Sequence, residues 1–201
     1  MTLEEAEARW RRNASAASDL RAVLEYRRAH TRTRRTALLE GLAGPLAVHA
    51  EYTRDEILVV LGHWDMDRRP DVREGLLHLR ERRVDVFFVT LEKTEDAYSP
   101  TTMYEDYAIS DRLFHWQSQS TTSAESPTGR RYIDHREQGY TPLLFVREHK
   151  YLAGGLASPY AFLGPARYVS HEGSRPMSIV WRLETPMPAR LLTRVTRGQT
   201  G

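Results

Sequence analysis

The side chains best suited to chemistry are concentrated between Asp111 and His135, in the stretch DRLFHWQSQSTTSAESPTGRRYIDH. A histidine, a tryptophan, two glutamines and a run of hydroxyl side chains stand there ahead of the basic pair Arg130-Arg131. Amide and hydroxyl groups hydrogen-bond to base edges and phosphates, and aromatic faces stack on bases. The composition of this stretch is therefore typical of nucleic-acid recognition rather than of catalysis.

Alternation divides the centre of this stretch into two faces if RLFHWQSQ is a strand. One face carries Phe114, Trp116 and Ser118, and the other carries His115, Gln117 and Gln119. One of these faces must pack on the core. Trp116 is then either a core residue beside Phe114 or a platform on which a base stacks. If it is buried, the histidine and the glutamines become the exposed recognition edge.

Residues of the same chemical types extend the candidate nucleic-acid contacts along the chain. Arginines would hold phosphates, and hydroxyl groups would assist them. The full set is His115, Trp116, Gln117, Ser118, Gln119, Thr101, Thr102, Tyr104, Arg130, Arg131, Arg147, Ser174 and Arg175. Further tyrosines could form an aromatic cage, or could simply pack half-buried with a solvated hydroxyl; they are Tyr98, Tyr107 and Tyr160.

A catalytic alternative depends on Asp134, which precedes a hydrophobic segment ending in Glu148-His149-Lys150. A carboxylate followed by Glu-x-Lys at a strand end is typical of the restriction-endonuclease superfamily, where two acids bind Mg²⁺ and the lysine positions the attacking water. Solvated charges at the end of an amphipathic strand are the simpler interpretation. We therefore expect a binding module with no catalytic residue, metal or cofactor, and keep an Mg²⁺-dependent deoxyribonuclease using Asp134, Glu148 and Lys150 as the alternative.

The overall composition limits the class of protein. The chain has 201 residues, 40% of them hydrophobic, and no cysteine, which excludes disulfides, zinc knuckles and cysteine nucleophiles. Nearly all its basic residues other than histidine are arginine, since Lys93 and Lys150 are the only lysines. The sequence lacks an apolar run of membrane-spanning length and a signal-peptide pattern at its start. We expect a cytoplasmic protein without a membrane partner.

Helical composition comes first along the chain, and strand-like segments follow. Residues 1–50 predict a helical N-terminal extension, residues 51–192 a recognition domain, and residues 193–201 a flexible tail. YTRDEILVVLG predicts a short helix with Thr53 as N-cap, Glu56 as its capping-box partner and Gly62 as terminator. About five strands follow, including VDVFFVTLEK, RLFHWQSQ, TPLLFVREHK and a final pair joined by SHEGSRP. This order predicts an α+β fold in which N-terminal helices pack on a small mixed or antiparallel β-barrel.

A family resemblance covers most of the predicted domain. The succession YTRDEILVVLG, VFFVTLEK, YSPTTMYEDYAIS, LFHWQSQS, GRRYIDH, LLFVREHK and PYAFLGPARYVSHEGSRPMSIVWRLETPMPA, from about residue 51 to 192, resembles the bacterial family named domain of unknown function 3427. In that family the module usually follows a superfamily II helicase, often with a phospholipase-D-like nuclease, in proteins of the restriction or phage-defence type. This chain has neither helicase motifs nor a nuclease HxK pair, so it is expected to be a stand-alone or excised module.

The resemblance implies a DNA-facing accessory module whose partners are DNA and a helicase or nuclease subunit. By fold-level analogy, a compact barrel carrying aromatic and amide side chains is similar to PUA and SRA-like readers, which flip a modified base into a pocket. We expect a DNA-binding module that reads a modified base or backbone in a restriction, antiviral-defence or DNA-processing context. The nuclease above is the first alternative, and a protein–protein adaptor of a helicase complex is the second.

Overall fold

The computed structural model describes residues 46–65, 67–72, 75–91, 106–189 and 191–192, and also residues 15, 18–19, 21–23 and 25–26 near the N-terminus. The chain divides into a unit of residues 1–34 and a unit of residues 35–201. The residues described in the first unit are helical. No helix among the described residues is long and apolar enough to cross a membrane.

The first helix of the second unit forms where the capping pattern predicts it. Helix α1 (Arg54–Val60) follows the short strand β1 (Glu51–Tyr52). The Thr53 hydroxyl accepts from the Glu56 amide, and the Glu56 carboxylate accepts from the Thr53 amide at 2.7 Å. Gly62 ends the helical turn with φ of 65°, a left-handed conformation that glycine adopts without strain. The N-cap, its partner and the terminator are thus all confirmed.

The described strands form one mixed sheet of eight strands. After β1 the strands and the second helix are β2 (Leu76–Leu79), β3 (Val84–Thr90), β4 (Tyr107–Ala108), β5 (Leu113–Gln117), α2 (Pro127–Ile133), β6 (Thr141–Arg147), β7 (Tyr160–Glu172) and β8 (Ser178–Leu183). The order across the sheet is β2-β3-β6-β7-β8-β5-β4, and β1 pairs with the start of β7. Strands β3 and β6 are parallel, and the other pairs are antiparallel.

The 13-residue strand β7 joins two halves of this sheet. Its first part pairs with β1 and β6, and its second part pairs with β8. We call β1, β2, β3, β6 and the first part of β7 the β6 half, and the second part of β7 with β8, β5 and β4 the β8 half. A register shift interrupts the pairing in each half, which allows the sheet to bend.

The expected α+β class is confirmed, but the expected barrel is wrong. Strands β2 and β4 lie at the two ends of the strand order and do not pair with each other, so the sheet is not closed. The two halves instead face each other across an apolar core. Alternation along a strand predicts which side chains are buried, but it does not specify which edges meet, and this is why the sequence did not distinguish a folded open sheet from a barrel.

Two apolar clusters cover the two faces of the β6 half, which explains why β3 is buried at every position. One cluster lies between the two halves of the sheet and includes Phe87, Trp116 and Trp181. The other lies between the β6 half and α1, and it includes Ile57 and Phe145. Leu46 and Val48 belong to this second cluster, although the sequence-based boundary assigns them to the N-terminal extension.

Candidate functional site

The alternation predicted for β5 is present. Phe114, Trp116 and Ser118 are buried in the core between the two halves. The Trp116 ring meets the Phe87 ring edge-on, with 4.6 Å between centroids. The Ser118 hydroxyl accepts from the Met177 amide at 2.8 Å. Trp116 and Ser118 are therefore core residues, and their assignment as nucleic-acid contacts is wrong, because the strand turns its even-numbered positions inward.

The opposite face of the β8 half carries the polar residues that this strand turns outward. His115 and Gln117 lie directly opposite Val180 and Ser178 of β8, and Tyr107 lies opposite His115 on its other side. The Tyr107 and His115 rings are stacked, with centroids 4.7 Å apart and planes 17° apart. The Gln117 side-chain amide donates to the Ser178 hydroxyl at 3.3 Å. With Arg182, an exposed residue of the same face, these residues define what we call the outer face: Tyr107, His115, Gln117, Ser178 and Arg182.

Exposed polar residues lie at the end of β5, at the β7–β8 turn and on α2. Gln119, Arg130, Ser174 and Arg175 are all exposed, and we call them the rim. The Arg175 amide donates to the Thr122 carbonyl at 3.1 Å, which fixes the β7–β8 turn against the loop that follows β5. Hydrogen bonds from its own amide and from Ser123 lower the pKa of the Glu125 carboxyl, and the positive charges of Arg175 and Arg130 lower it further. Both arginines therefore lie near one carboxylate in this loop.

Two other arginines proposed as phosphate ligands have structural partners. Arg131 Nε donates to the buried Asp85 carboxylate at 2.8 Å. Arg147 Nε donates to the Thr90 hydroxyl at 2.9 Å, and its guanidinium lies over the Tyr160 ring, 4.4 Å from the centroid. Arg147 therefore stabilises the β6 half and is not a simple surface ligand for phosphate. Among the described residues, Arg131 hydrogen-bonds through its Nε edge alone.

The tyrosines expected to form a cage do not come together where the structure describes them. Tyr160 is buried in the cluster beneath α1, and Tyr107 lies on the outer face of the β8 half. The cage containing both is therefore wrong, since they lie on different faces of the folded sheet. Four residues of the predicted interface fall outside the described residues: Tyr98, Thr101, Thr102 and Tyr104.

The residues of the nuclease alternative lie at opposite ends of one strand. Asp134 ends helix α2 and is followed by His135, whose carbonyl accepts from the Tyr140 amide just before β6. Glu148 and Lys150 follow the other end of β6. A seven-residue strand spans roughly 20 Å, so the carboxylates do not converge on one cation. Within the described ranges, no group of three or more histidine, aspartate or glutamate side chains could hold a metal ion.

A buried polar cluster at the β2–β3–α2 junction was not anticipated from the sequence. The Asp85 carboxylate is fully buried and contacts both His78 and Arg131. The available signal was a single carboxylate inside VDVFFV, an otherwise apolar strand that is buried throughout. A buried charge of this kind requires paired partners, so Asp85 could have been singled out before its partners were known.

The fold and the candidate interface define an α+β domain with an open, bent sheet and one polar outer face. The chain belongs to the family described as Domain of unknown function (DUF3427), whose model matches residues 46–195. This match includes the residues of the outer face and of the rim. No curated protein matches the sequence.

Proposed function

We propose that this domain is a DNA-recognition module that binds through the outer face and the rim. The proposed context is a restriction, phage-defence or DNA-processing system in which a helicase or nuclease subunit acts on the same DNA. The alternation of β5 carries the proposal, because it buries Trp116 in the core and presents His115 and Gln117 beside Tyr107 on the opposite face.

The chemistry of these side chains matches the chemical groups of DNA. The stacked Tyr107 and His115 rings offer an aromatic surface, and base stacking on such a ring contributes about 1–3 kcal/mol. The amides of Gln117 and Gln119 suit base edges. The guanidinium groups of Arg130, Arg175 and Arg182 would supply the salt-sensitive contacts to phosphate. The domain would thus combine phosphate contacts with base contacts across the outer face and the rim.

A salt titration of DNA binding tests this proposal. Fluorescence anisotropy with a labelled duplex and a labelled single strand should show affinity falling steeply with salt for the wild type. Arg130→Ala/Arg175→Ala should weaken binding and reduce the slope of log K against log salt by up to about 2, or about 1 for each phosphate that is no longer neutralised. Arg69→Ala is the matched control, because Arg69 is exposed in the loop beyond α1 and belongs to neither the outer face nor the rim.

The proposal fails if the wild type and the double variant bind with the same weak, salt-insensitive affinity. Its finer part is that the ligand is DNA with a modified base or backbone. A panel of duplexes that differ in one modification, measured at physiological salt, tests this part. A reader should prefer one modified duplex, and His115→Ala/Gln117→Ala should remove that preference while leaving most of the salt-dependent affinity.

A protein–protein adaptor is the second candidate, and one observation favours it. The turn after β6 exposes three large apolar side chains: Tyr151 (54%), Leu152 (51%) and Leu156 (72%). The turn is held by a hydrogen bond from the Leu152 amide to the Leu156 carbonyl at 2.7 Å. An ordered apolar surface of this kind is typical of contacts between proteins. Leu152→Ser/Leu156→Ser should leave DNA binding unchanged if DNA recognition is the function, whereas an adaptor would lose its protein partner.

A further inference from the structure

The buried Asp85 carboxylate organises two cationic or cation-forming side chains at the β2–β3–α2 junction. His78 lies directly opposite Asp85 in the β2–β3 pair, and its Nδ1 is 3.0 Å from Asp85 Oδ1. Arg131 of α2 donates from Nε to Asp85 Oδ2 at 2.8 Å. Both oxygens of one buried carboxylate are thereby occupied. The three residues join two strands and a helix, and each has a defined orientation.

The described residues make no hydrogen bond to the other ends of these two side chains. Within the described residues, neither His78 Nε2 nor the two Nη atoms of Arg131 has a hydrogen-bond partner. The side chain of His78 is 32% exposed and that of Arg131 is 13% exposed, so solvent reaches both. Both side chains bond to the same carboxylate over about 3 Å, so they lie beside each other at this junction.

Aromatic rings further limit the motion of these two groups. The Tyr140 ring lies 5.2 Å from the His78 ring, and its centroid lies 5.8 Å from the Arg131 guanidinium carbon. The centroid of the Tyr132 ring lies 5.5 Å from the same carbon. A guanidinium held in place loses little conformational entropy when its remaining N–H groups bind a ligand. The cluster is preorganised in the manner of an anion-binding site.

The hydrogen bond to Asp85 also determines what His78 offers to a ligand. A carboxylate on Nδ1 favours the tautomer with its proton on that nitrogen, which leaves Nε2 to face the ligand. In its neutral form Nε2 accepts from a protonated phosphate oxygen, and in its cationic form it donates to an ionised one. Arg131 supplies N–H donors in the planar arrangement that suits phosphate. Asp85 compensates the charge of Arg131, so the site suits a small oxyanion and not a highly charged surface.

We propose that His78 and Arg131, oriented by Asp85, form a phosphate-binding site at the β2–β3–α2 junction. This site involves none of the residues of the outer face or the rim, and the inference does not depend on the proposed DNA recognition. The ligand is a phosphate group, either free or at the end of a nucleotide or an oligonucleotide.

Nitrogen-detected NMR of the histidine side chains tests the site directly. Inorganic phosphate is titrated to about 20 mM at constant ionic strength and pH, with chloride and sulfate as comparison anions. The His78 Nε2 signal should shift in a saturable way with phosphate and not with chloride, which lacks the oxygens that the two side chains would bind. The signals of His149 and His171 should not follow the same curve.

Two variants separate ligand binding from a purely structural role for the cluster. Arg131→Lys keeps a positive charge beside Asp85 but removes the planar pair of Nη groups, and it should weaken phosphate binding about tenfold. His78→Gln keeps a side-chain N–H for Asp85 and should also weaken binding, as measured by calorimetry. Arg69→Lys is the matched control and should bind as the wild type does.

Any one of three results would overturn the inference. The first is no shift of the His78 signal at about 20 mM phosphate, and the second is an equal shift with all three anions. The third is equal phosphate affinity for the wild type and both cluster variants. Competition then distinguishes the sources of the phosphate. Displacement by a 5′-phosphorylated oligonucleotide, but not by its unphosphorylated counterpart, identifies a terminal phosphate. Displacement by neither identifies the free ion or a mononucleotide, and displacement by both would contradict a ligand that is free or terminal.

Discussion

Replacement of Gly129 by alanine tests the packing of α2, the helix that carries Arg130 and Arg131. Gly129 lies within α2, where the loop of residues 123 and 124 crosses close to the helix. An alanine Cβ at this position would lie 1.9 Å from the Ser123 carbonyl oxygen and 2.8 Å from its carbonyl carbon. Both atoms are backbone, so a side-chain rotation cannot relieve the overlap. The helix and the loop must separate by more than an ångström.

The magnitude follows from what this separation breaks. Ser126, the N-cap of α2, donates to the Ser123 carbonyl at 2.6 Å and accepts from the Gly129 amide at 3.0 Å. Loss of such a cap costs about 1 kcal/mol, and overpacking a tight site costs about 1–3 kcal/mol. The higher helix propensity of alanine offsets about 1 kcal/mol of this loss in stability. We expect a net loss of about 2 kcal/mol in the free energy of unfolding, or about 4–8 °C in Tm for a domain of this size.

Urea denaturation followed by circular dichroism measures this change. Arg130→Ala is the control, because the Arg130 side chain is exposed on the same helix and its replacement should change stability by no more than about 0.5 kcal/mol. Replacing an exposed helical glycine that has no close neighbours would instead raise the free energy of unfolding by about 1 kcal/mol. The sign is therefore decisive, and a Gly129→Ala protein as stable as the wild type, or more stable, would refute the packing argument.

Four further outcomes are expected. Thr53→Ala removes the N-cap of α1 and should lower the free energy of unfolding by about 1 kcal/mol in urea denaturation, with a value near zero contradicting the role of the capping box. Trp116→Phe leaves a gap in the core and should destabilise the domain by about 1–2 kcal/mol without changing DNA affinity, whereas lower affinity at unchanged stability would restore its role as a stacking platform. His135 is buried, and this burial lowers its pKa, so the unfolded chain takes up the proton before the folded protein does as the pH falls. The stability that depends on neutral His135 should be complete above about pH 6.5 and should fall as the pH drops below that value. A His135→Asn protein whose urea midpoint falls just as much with pH would argue against this assignment. Plasmid DNA incubated with Mg²⁺ or Mn²⁺ should remain uncut, and cleavage that Asp134→Ala abolishes would establish the nuclease instead.

Local patterns predicted the elements of this domain well. The Thr53, Glu56 and Gly62 signals specify α1, because capping is decided by neighbours in sequence. Alternation in LFHWQ specifies which side chains of β5 are buried, and the apolar run VDVFFV specifies a strand covered on both faces. These predictions depend only on residues a few positions apart, so one sequence contains enough information for them.

The same local patterns do not predict which strands pair when they lie far apart in sequence. The parallel pairing of β3 with β6 and the bend along β7 bring together residues far apart in sequence. The structural partners of Arg131 and Arg147 were missed for this reason, since Asp85 and Thr90 lie 46 and 57 positions away. The short strands β1 and β4 were also missed, because two residues are too few to show a period.

The most direct test of the central claim is hydrogen–deuterium exchange of the wild-type protein with and without a DNA duplex. The proposed interface predicts that DNA slows exchange in peptides covering residues 106–126 and 173–184, which contain the outer face and most of the rim. Peptides covering α1 and the turn at residues 151–157 should exchange at the same rate in both conditions. Protection of α1 or of that turn, with the two interface segments unchanged, would contradict the account.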